Sequence, residues 1–405
     1  MTLLDNCIKE IREGPWKLLQ LRGNLISRQD VNGDDVDFLT STESLHLLLR
    51  AVFEWTRAGW CHGHIRRRLS RKAELSLFSP DGSERLKLDL WLSLPQLDGG
   101  RILTLEDCSE QLSGTGLQRL PMRLEVALYI QHLLAKKKDL RKDKYRRALE
   151  EYRQQCPEFA NALKGVEELG FISEEAREQS RSILQENFPH PAPGKRSLLR
   201  LYEEGFLSFP RSLKAVCVMG CDGAGKTSLA KSLWKSSERY PRIFTGKHLY
   251  RKSLLYKLAV IFIRPLTFQS RERFDELLAP LAYLRACLGL RIKLLLRWRQ
   301  GVTLIDRGLL DFLYLDRKTN RPRFSRLFFL SRLCGKRVPV IHVMADYAAI
   351  KQRKDEVSQA GHECYDRDMW RTHALRCPTN YLSFNNAGSI ENSSQALDQI
   401  LGQLS

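Results

Sequence analysis

Two hydrophobic periods divide the chain. Near the N-terminus Val36 and Phe38 alternate with Asp35 and Asp37, the two-residue period of a strand with one buried face. Leu45, Leu48, Leu49, Val52 and Phe53 follow at i, i+3, i+4, i+7 and i+8, which predicts an amphipathic helix. Residues 74–78 and 85–94 flank the turn Ser79-Pro80-Asp81-Gly82, so a hairpin is expected. In its second strand Leu86, Leu88 and Leu90 share one face and Asp89 takes the other. From residue 122 the pattern becomes helical, over 122–134, 145–156, 158–169 and 173–185, with Lys136, Lys137, Lys138 and Lys144 in a solvated basic stretch. Ser173 suits an N-cap, with Glu174 and Glu175 in the first turn. Pro189, Pro191 and Pro193 stiffen a linker. Beyond it, short apolar runs at 215–219, 302–307, 338–344 and 381–384, and a further strand near 244, alternate with helical stretches such as 273–299. That alternation implies an α/β fold with a doubly wound parallel sheet. The expected organisation is an α+β domain over 1–110, a helical extension and linker over 111–205, and the doubly wound domain over 206–405.

The apolar run at 215–219 leads into Gly220-Cys221-Asp222-Gly223-Ala224-Gly225-Lys226-Thr227, and Ser228 opens a helical stretch. This is G-x-x-x-x-G-K-[ST] in the strand–loop–helix setting that the motif requires. Glycines let the backbone curl until successive N–H groups face a phosphate, reinforced by the helix N-terminus. Lys226 is expected to reach the β- and γ-phosphates, and the Thr227 hydroxyl to ligate Mg²⁺. The bland alternative is a glycine-rich turn with no ligand. The run at 302–307 ends in Asp306-Arg307, where the Asp can orient the Mg²⁺ shell or the acceptor and the Arg can grip a phosphoryl group. Arg353 and Lys354 belong to a basic run able to close as a lid, and residues 385–390 form a loop placed to touch an adenine. ATP and Mg²⁺ are the expected ligands.

Charge adds one feature. The formal net charge of +19 is concentrated in residues 206–405, where 34 Lys+Arg face 16 Asp+Glu. That excess exceeds the needs of one triphosphate. It suits an anionic or phosphorylated acceptor, a glycolipid or an anionic membrane surface, and equally a merely solvated basic face. Residues 284–298 are apolar with Arg285, Arg291, Lys293 and Arg297 interspersed, which favours a buried helix with snorkelling cations over a membrane-surface helix. The 10 cysteines contain no C-x-x-C pair, as expected of reduced thiols in a cytoplasmic protein. Residues 1–13 do not read as a signal peptide. The longest apolar run, 254–263, is interrupted by Lys257 and too short to span a bilayer. The expected location is the cytoplasm, with peripheral contact at the inner membrane face left open, as is a homodimer. No interleaved aromatic and basic platform points to nucleic acid. Cys61-His62-Gly63-His64 reads as polar loop, because no second cluster completes a metal site.

Asp35 and Asp37 on one strand face repel unless a cation lies between them, which makes them metal-site candidates. Together with Gly23-Asn24 ahead of them, the helix behind and Asp89 on a later strand, they resemble the nucleotidyltransferase superfamily. That resemblance implies that Asp35, Asp37 and Asp89 hold two Mg²⁺ ions for attack on an α-phosphate. Asn24 stands where the superfamily usually has Ser. In the C-terminal half, Gly220-x-Asp222-Gly223-x-Gly225-Lys226-Thr227, Asp306-Arg307 and Arg353-Lys354 resemble the thymidylate-kinase family of P-loop kinases. By that resemblance Asp222 faces the acceptor, Arg307 its phosphate and Arg353 the transferred γ-phosphoryl. The Arg-Glu-Pro-Gly segment of true thymidylate kinases is absent, with Gly246-Lys247-His248-Leu249-Tyr250-Arg251 in its place. Asp306-Arg307, Asp311 and Asp316-Arg317 are more similar to thymidylate-kinase-like proteins of bacterial surface-polysaccharide gene clusters. Three functions follow: a phosphotransferase acting on a nucleotide, sugar or glycolipid; a kinase that is also a nucleotidyltransferase; and a non-enzymatic nucleotide-dependent switch.

Overall fold

The computed structural model describes residues 2–23, 25–68, 72–94, 103–111, 114–135, 138–164, 171–188, 215–240, 242–245, 258, 261, 301–306, 339–353, 358–371, 374 and 380–404. Helix α1 (Leu3–Glu13) opens on a reciprocal capping box between Thr2 and Asp5 and buries Leu4, Cys7, Ile8 and Ile11. Strands β1 (Lys17–Gln20) and β2 (Val36–Thr40) follow, then α2 (Thr42–Arg57), capped by Ser41, whose apolar face is the one its spacing predicts. Next come β3 (His62–Arg68), β4 (Lys72–Phe78), β5 (Arg85–Trp91) and β6 (Gly116–Arg119). The expected hairpin is β4–β5, with Ser79 and Glu84 closing its turn.

Helices α3 (Met122–Ala135), α4 (Asp143–Gln155) and α5 (Glu174–Asn187) share a core with Leu19 and Leu39 of β1 and β2. Ser173 caps α5 through the Ala176 amide at 3.1 Å. The expected helix over 158–169 is instead a short 3₁₀ turn, Pro157–Phe159, followed by turns to residue 164; residues 165–170 lie outside the described residues. Pro157 explains the break, since a proline cannot continue the α4 hydrogen-bond ladder and pushes Cys156 out of the helical region.

The C-terminal half contains β7 (Ala215–Met219), α6 (Lys226–Ser236), β8 (Arg242–Thr245), β9 (Thr303–Asp306), β10 (Val340–Met344), α7 (Tyr347–Arg353), α8 (Gln359–Trp370), β11 (Asn380–Asn385) and α9 (Ile390–Leu404). Its strands are parallel, in the order β8-β9-β7-β10-β11. β7 and β10 are buried along their whole length, as a sheet covered on both faces demands. On one face α6 and α9 pack over Val216, Val218, Ile341 and Val343. On the other, Met369 and Trp370 of α8 join Phe53 of α2 over Cys217, Met219 and Met344. Under α8, His342 on β10 bonds Tyr381 at 2.7 Å and Asp366 at 2.9 Å. Burial pushes the Asp366 carboxyl upward, but His342 and His362 outweigh it and hold the group at about 2.

The outer edge of β11 is not free. It pairs antiparallel with β3, so eleven strands form one sheet in the order β6-β1-β2-β5-β4-β3-β11-β10-β7-β9-β8. The stretch 61–64, expected as polar loop, therefore lies at this seam, with Cys61, His62 and His64 buried. Gly63 allows it: a Cβ there would collide with Val52 of α2. The linker at 189–194, the stretch 246–251 and the helix expected over 273–299 lie outside the described residues.

Candidate active site

The sheet turns at β7. The chain runs from β7 to β8 at one edge, returns to β9, and then crosses to β10 on the other side of β7. Such a reversal opens a crevice at the carboxyl ends of the strands, where α/β sheets bind ligands. Residues 220–225 cross that crevice. Gly220, Gly223 and Gly225 all have positive φ, at 152°, 93° and 85°. Each also sits where a side chain would not fit. A Cβ at Gly220 would strike the Val343 carbonyl, one at Gly223 would lie 2.9 Å from Ile350, and one at Gly225 would lie 2.6 Å from Asn386.

Helix α6 begins at Gly225 with no side-chain cap, as does α4 behind Lys142, whereas α1, α2, α5 and α8 carry Thr2, Ser41, Ser173 and Ser358 in that role. The first amides of α6 are thus left without the side-chain acceptor that those helices have. Lys226 is buried and folds back over the loop, donating to the Cys221 carbonyl at 2.6 Å with its ammonium 3.6 Å from Asp222 Oδ1. Thr227 donates its hydroxyl to Asp306 Oδ2 at 2.9 Å. The other oxygen, Asp306 Oδ1, is buried and has no hydrogen-bond partner. A buried carboxylate oxygen left unpaired beside a hydroxyl is a hard-oxygen pair that fits Mg²⁺. Arg353 reaches the loop from α7, its Nη1 donating to the Gly223 carbonyl at 3.4 Å. The structure thus brings Asp222, Lys226, Thr227, Asp306 and Arg353 together around one loop, with Ser228 behind them in the first turn of α6. Arg307, Asp311, Asp316, Arg317 and Lys354 lie outside the described residues.

Asn386, one residue past β11, lies in the stretch 385–390 expected to touch an adenine, and here its side chain supports the phosphate loop. Its side-chain amide donates to the Ala224 carbonyl at 2.9 Å, and its backbone amide to Met344 O at 2.8 Å. Its sequence signal was its place in the loop that follows the apolar run 381–384.

Asp35, Asp37 and Asp89 also converge, with Asp37 and Asp89 opposite one another on β2 and β5. Each has its own cation: Asp35 pairs with Lys87, Asp37 with Arg22, and Asp89 with Lys72. The Trp91 indole N–H also donates to Asp37, at 2.9 Å. Burial pushes the Asp89 carboxyl up against the pull of Lys72. At Asp35 burial also works upward, yet Lys87 outweighs it and the carboxyl stays below its usual value. Among the described residues no group of three His, Cys, Asp or Glu side chains is arranged to hold a metal ion. The resident ammonium and guanidinium groups supply the charge that the acidic pattern called for. Asp37 borders a cavity whose walls include Leu21, Arg22, Trp91, Leu128 and Tyr129. Among the described residues no helix is long and apolar enough to cross a membrane.

No family model matches the chain, and no curated protein matches it. Among solved structures it is similar to thymidylate kinase from Candida albicans, with a TM-score of 0.33 and 15% identity over 47% of this chain and 92% of that one. It is also similar to shikimate kinase from Acinetobacter baumannii in complex with shikimate, with a TM-score of 0.27 and 15% identity over 48% of this chain and 95% of that one. At these scores the reading of the site rests on its own residues.

Proposed function

We propose that the protein is an ATP-dependent phosphotransferase of the thymidylate-kinase-like class, acting on an anionic or phosphorylated small molecule: a nucleotide, a sugar or a glycolipid. The observation that carries this reading is the constellation at the end of β7. An uncapped helix start, a buried Lys226 and the Thr227–Asp306 pair with its orphaned oxygen surround one loop. Those features match the needs of a triphosphate: amides and an ammonium for the β- and γ-phosphates, and hard oxygens for Mg²⁺. Mg²⁺, held by Thr227 and Asp306, would neutralise phosphate charge.

In the reaction an acceptor oxygen, either an ionised phosphate oxygen or a hydroxyl that gives its proton to Asp222, bonds to the γ-phosphorus while the bond from that phosphorus to the β–γ bridging oxygen breaks, and the electron pair departs with ADP. Lys226 leaves the Cys221 carbonyl to follow the charge that develops on the phosphates. Arg353 is assigned to the transferred phosphoryl, Asp222 to the acceptor side and Arg307 to the acceptor's phosphate. The strongly basic composition of residues 206–405 supports an anionic acceptor and leaves room for contact with a glycolipid surface. The transfer is assigned to the C-terminal half; the carboxylates at 35, 37 and 89 are paired with Lys87, Arg22 and Lys72, and Asp89 keeps one buried oxygen without a hydrogen-bond partner.

The test is ATP consumption by the purified full chain against nucleoside monophosphates, free and phosphorylated sugars, and glycolipid headgroups. Consumption that depends on one acceptor class supports the reading and names the acceptor. Nucleotide binding with no turnover across the panel would favour a nucleotide-dependent switch instead.

A further inference from the structure

We propose that the N-terminal half positions the phosphate-binding loop through two consecutive asparagines, Asn385 and Asn386. This rests on reading residues 220–227 as a phosphate cradle. The two side chains face opposite ways. Asn385 is held by the N-terminal half, its side-chain amide donating to the Thr56 carbonyl at 2.8 Å and to that of Arg57 at 3.2 Å. Both carbonyls belong to the last turn of α2, and that of Thr56 also accepts the Gly59 N–H at 3.1 Å. Asn385 thus caps α2 from the far end of the chain. Gly59, at φ 75°, turns the chain out of that helix close to the amide.

His62 fixes Asn385 a second time. Its Nδ1 accepts the Asn385 backbone N–H at 3.2 Å, and its Nε2 lies 2.9 Å from the Pro80 carbonyl. Only one arrangement satisfies both contacts: neutral imidazole with the proton on Nε2. Burial favours that neutral form, and the ring stacks on Phe384 at 4.3 Å. Asn386, one residue on, holds the Ala224 carbonyl and lies against Gly225, the residue that starts α6. The end of α2 and the start of β3 are therefore two residues away from the loop whose amides would meet phosphate. This assigns the N-terminal half a role besides any chemistry of its own: a clamp on the curvature of the loop.

Full-length variants test the clamp. His62→Phe keeps a stacking ring but loses the acceptor, His62→Asn restores an acceptor near the Nδ1 position, and Asn385→Ala removes the cap on α2. Two readouts are needed: hydrogen–deuterium exchange of the 220–227 amides, and the dissociation constant of a fluorescent ATP analogue with Mg²⁺. The clamp predicts faster exchange in 220–227 for His62→Phe and Asn385→Ala, with α6 and α9 unchanged, and analogue binding weakened about tenfold. His62→Asn should return both values toward the parent. Exchange in 220–227 equal to the parent in both disruptive variants would overturn the proposal, whether or not nucleotide binds. A parent chain that fails to bind the analogue, with exchange still faster in the variants, would instead remove the phosphotransferase reading and leave the clamp. Should Asn385→Ala fail to fold, the His62→Phe and His62→Asn pair decides.

Discussion

Thr227 and Asp306 meet at 2.9 Å, hydroxyl to carboxylate, joining the first turn of α6 to the last residue of β9. That contact uses one carboxylate oxygen and leaves the other buried and unpaired. A buried charge with an unsatisfied oxygen is costly to the fold, so its retention points to a partner that arrives with the ligand. Asp306→Asn preserves an acceptor for Thr227 and removes the charge. We expect phosphoryl transfer to fall by on the order of 100-fold while the chain becomes no less stable. Thermal unfolding without nucleotide checks the second half; a clear drop in melting temperature would assign Asp306 to the fold instead.

The glycines of the loop should differ from glycines that merely turn. Gly220→Ala combines a positive φ with a collision against the Val343 carbonyl, whereas Gly23→Ala has a positive φ and nothing within 4 Å. Urea denaturation should show Gly23→Ala losing about 1 kcal/mol, the strain of a left-handed residue alone. Gly220→Ala should lose at least about 2 kcal/mol. Equal losses would mean that the loop does not press against β10 at Gly220.

Acid should weaken the seam between the two halves. Burial holds the His62 and His64 rings neutral down to about 4 and about 3, against an ordinary value of 6.5. Once unfolded, both take up a proton near pH 6.5. Between that pH and the folded values the unfolded chain binds more protons, so stability falls as the pH drops. The two residues together should cost on the order of a few kcal/mol by pH 4. Denaturant midpoints measured from pH 7 to pH 4 should decline, and less steeply in His64→Gln. A flat profile would show that these rings are solvated.

The acidic trio of the N-terminal half should be insensitive to metal. Asp35→Asn and Asp37→Asn should leave any pyrophosphate release from nucleoside triphosphates unchanged. Asp37→Asn should also destabilise the chain by about 1–2 kcal/mol, because Arg22 loses its charged partner. Pyrophosphate release that the parent shows and both variants lose would restore nucleotidyl transfer to this domain.

The parts legible from sequence were those written locally. The phosphate loop is contiguous, and β7, β9 and β10 are buried strands whose apolar runs stand out without pairing information. Asp306 was legible because a strand end is a fixed place in such a sheet. β3 was not. It has one buried apolar residue past its histidines, Ile65, and its partner β11 lies at the other end of the chain. Burying His62 and His64 as neutral rings is a tertiary outcome that overrides their polarity. The cations beside Asp35 and Asp89 were within reach. The turn at 79–82 sets the hairpin register that puts Lys87 opposite Ser76 and Lys72 opposite Trp91, two residues from Asp89. Helix α1 carried its signal too, in Thr2 and Asp5, but a short charged segment has little hydrophobic pattern to support it.

The central claim is that the loop from Gly220 to Thr227 holds a triphosphate through Lys226. Calorimetric titration of the full chain with ATP and Mg²⁺, for the parent and for Lys226→Ala, tests it most directly. Lys226 is buried against the Cys221 carbonyl, so the variant must first show the parent's circular dichroism. We predict saturable binding by the parent and a dissociation constant at least about tenfold weaker in the variant. Equal binding by both chains, or none by the parent, would contradict the account.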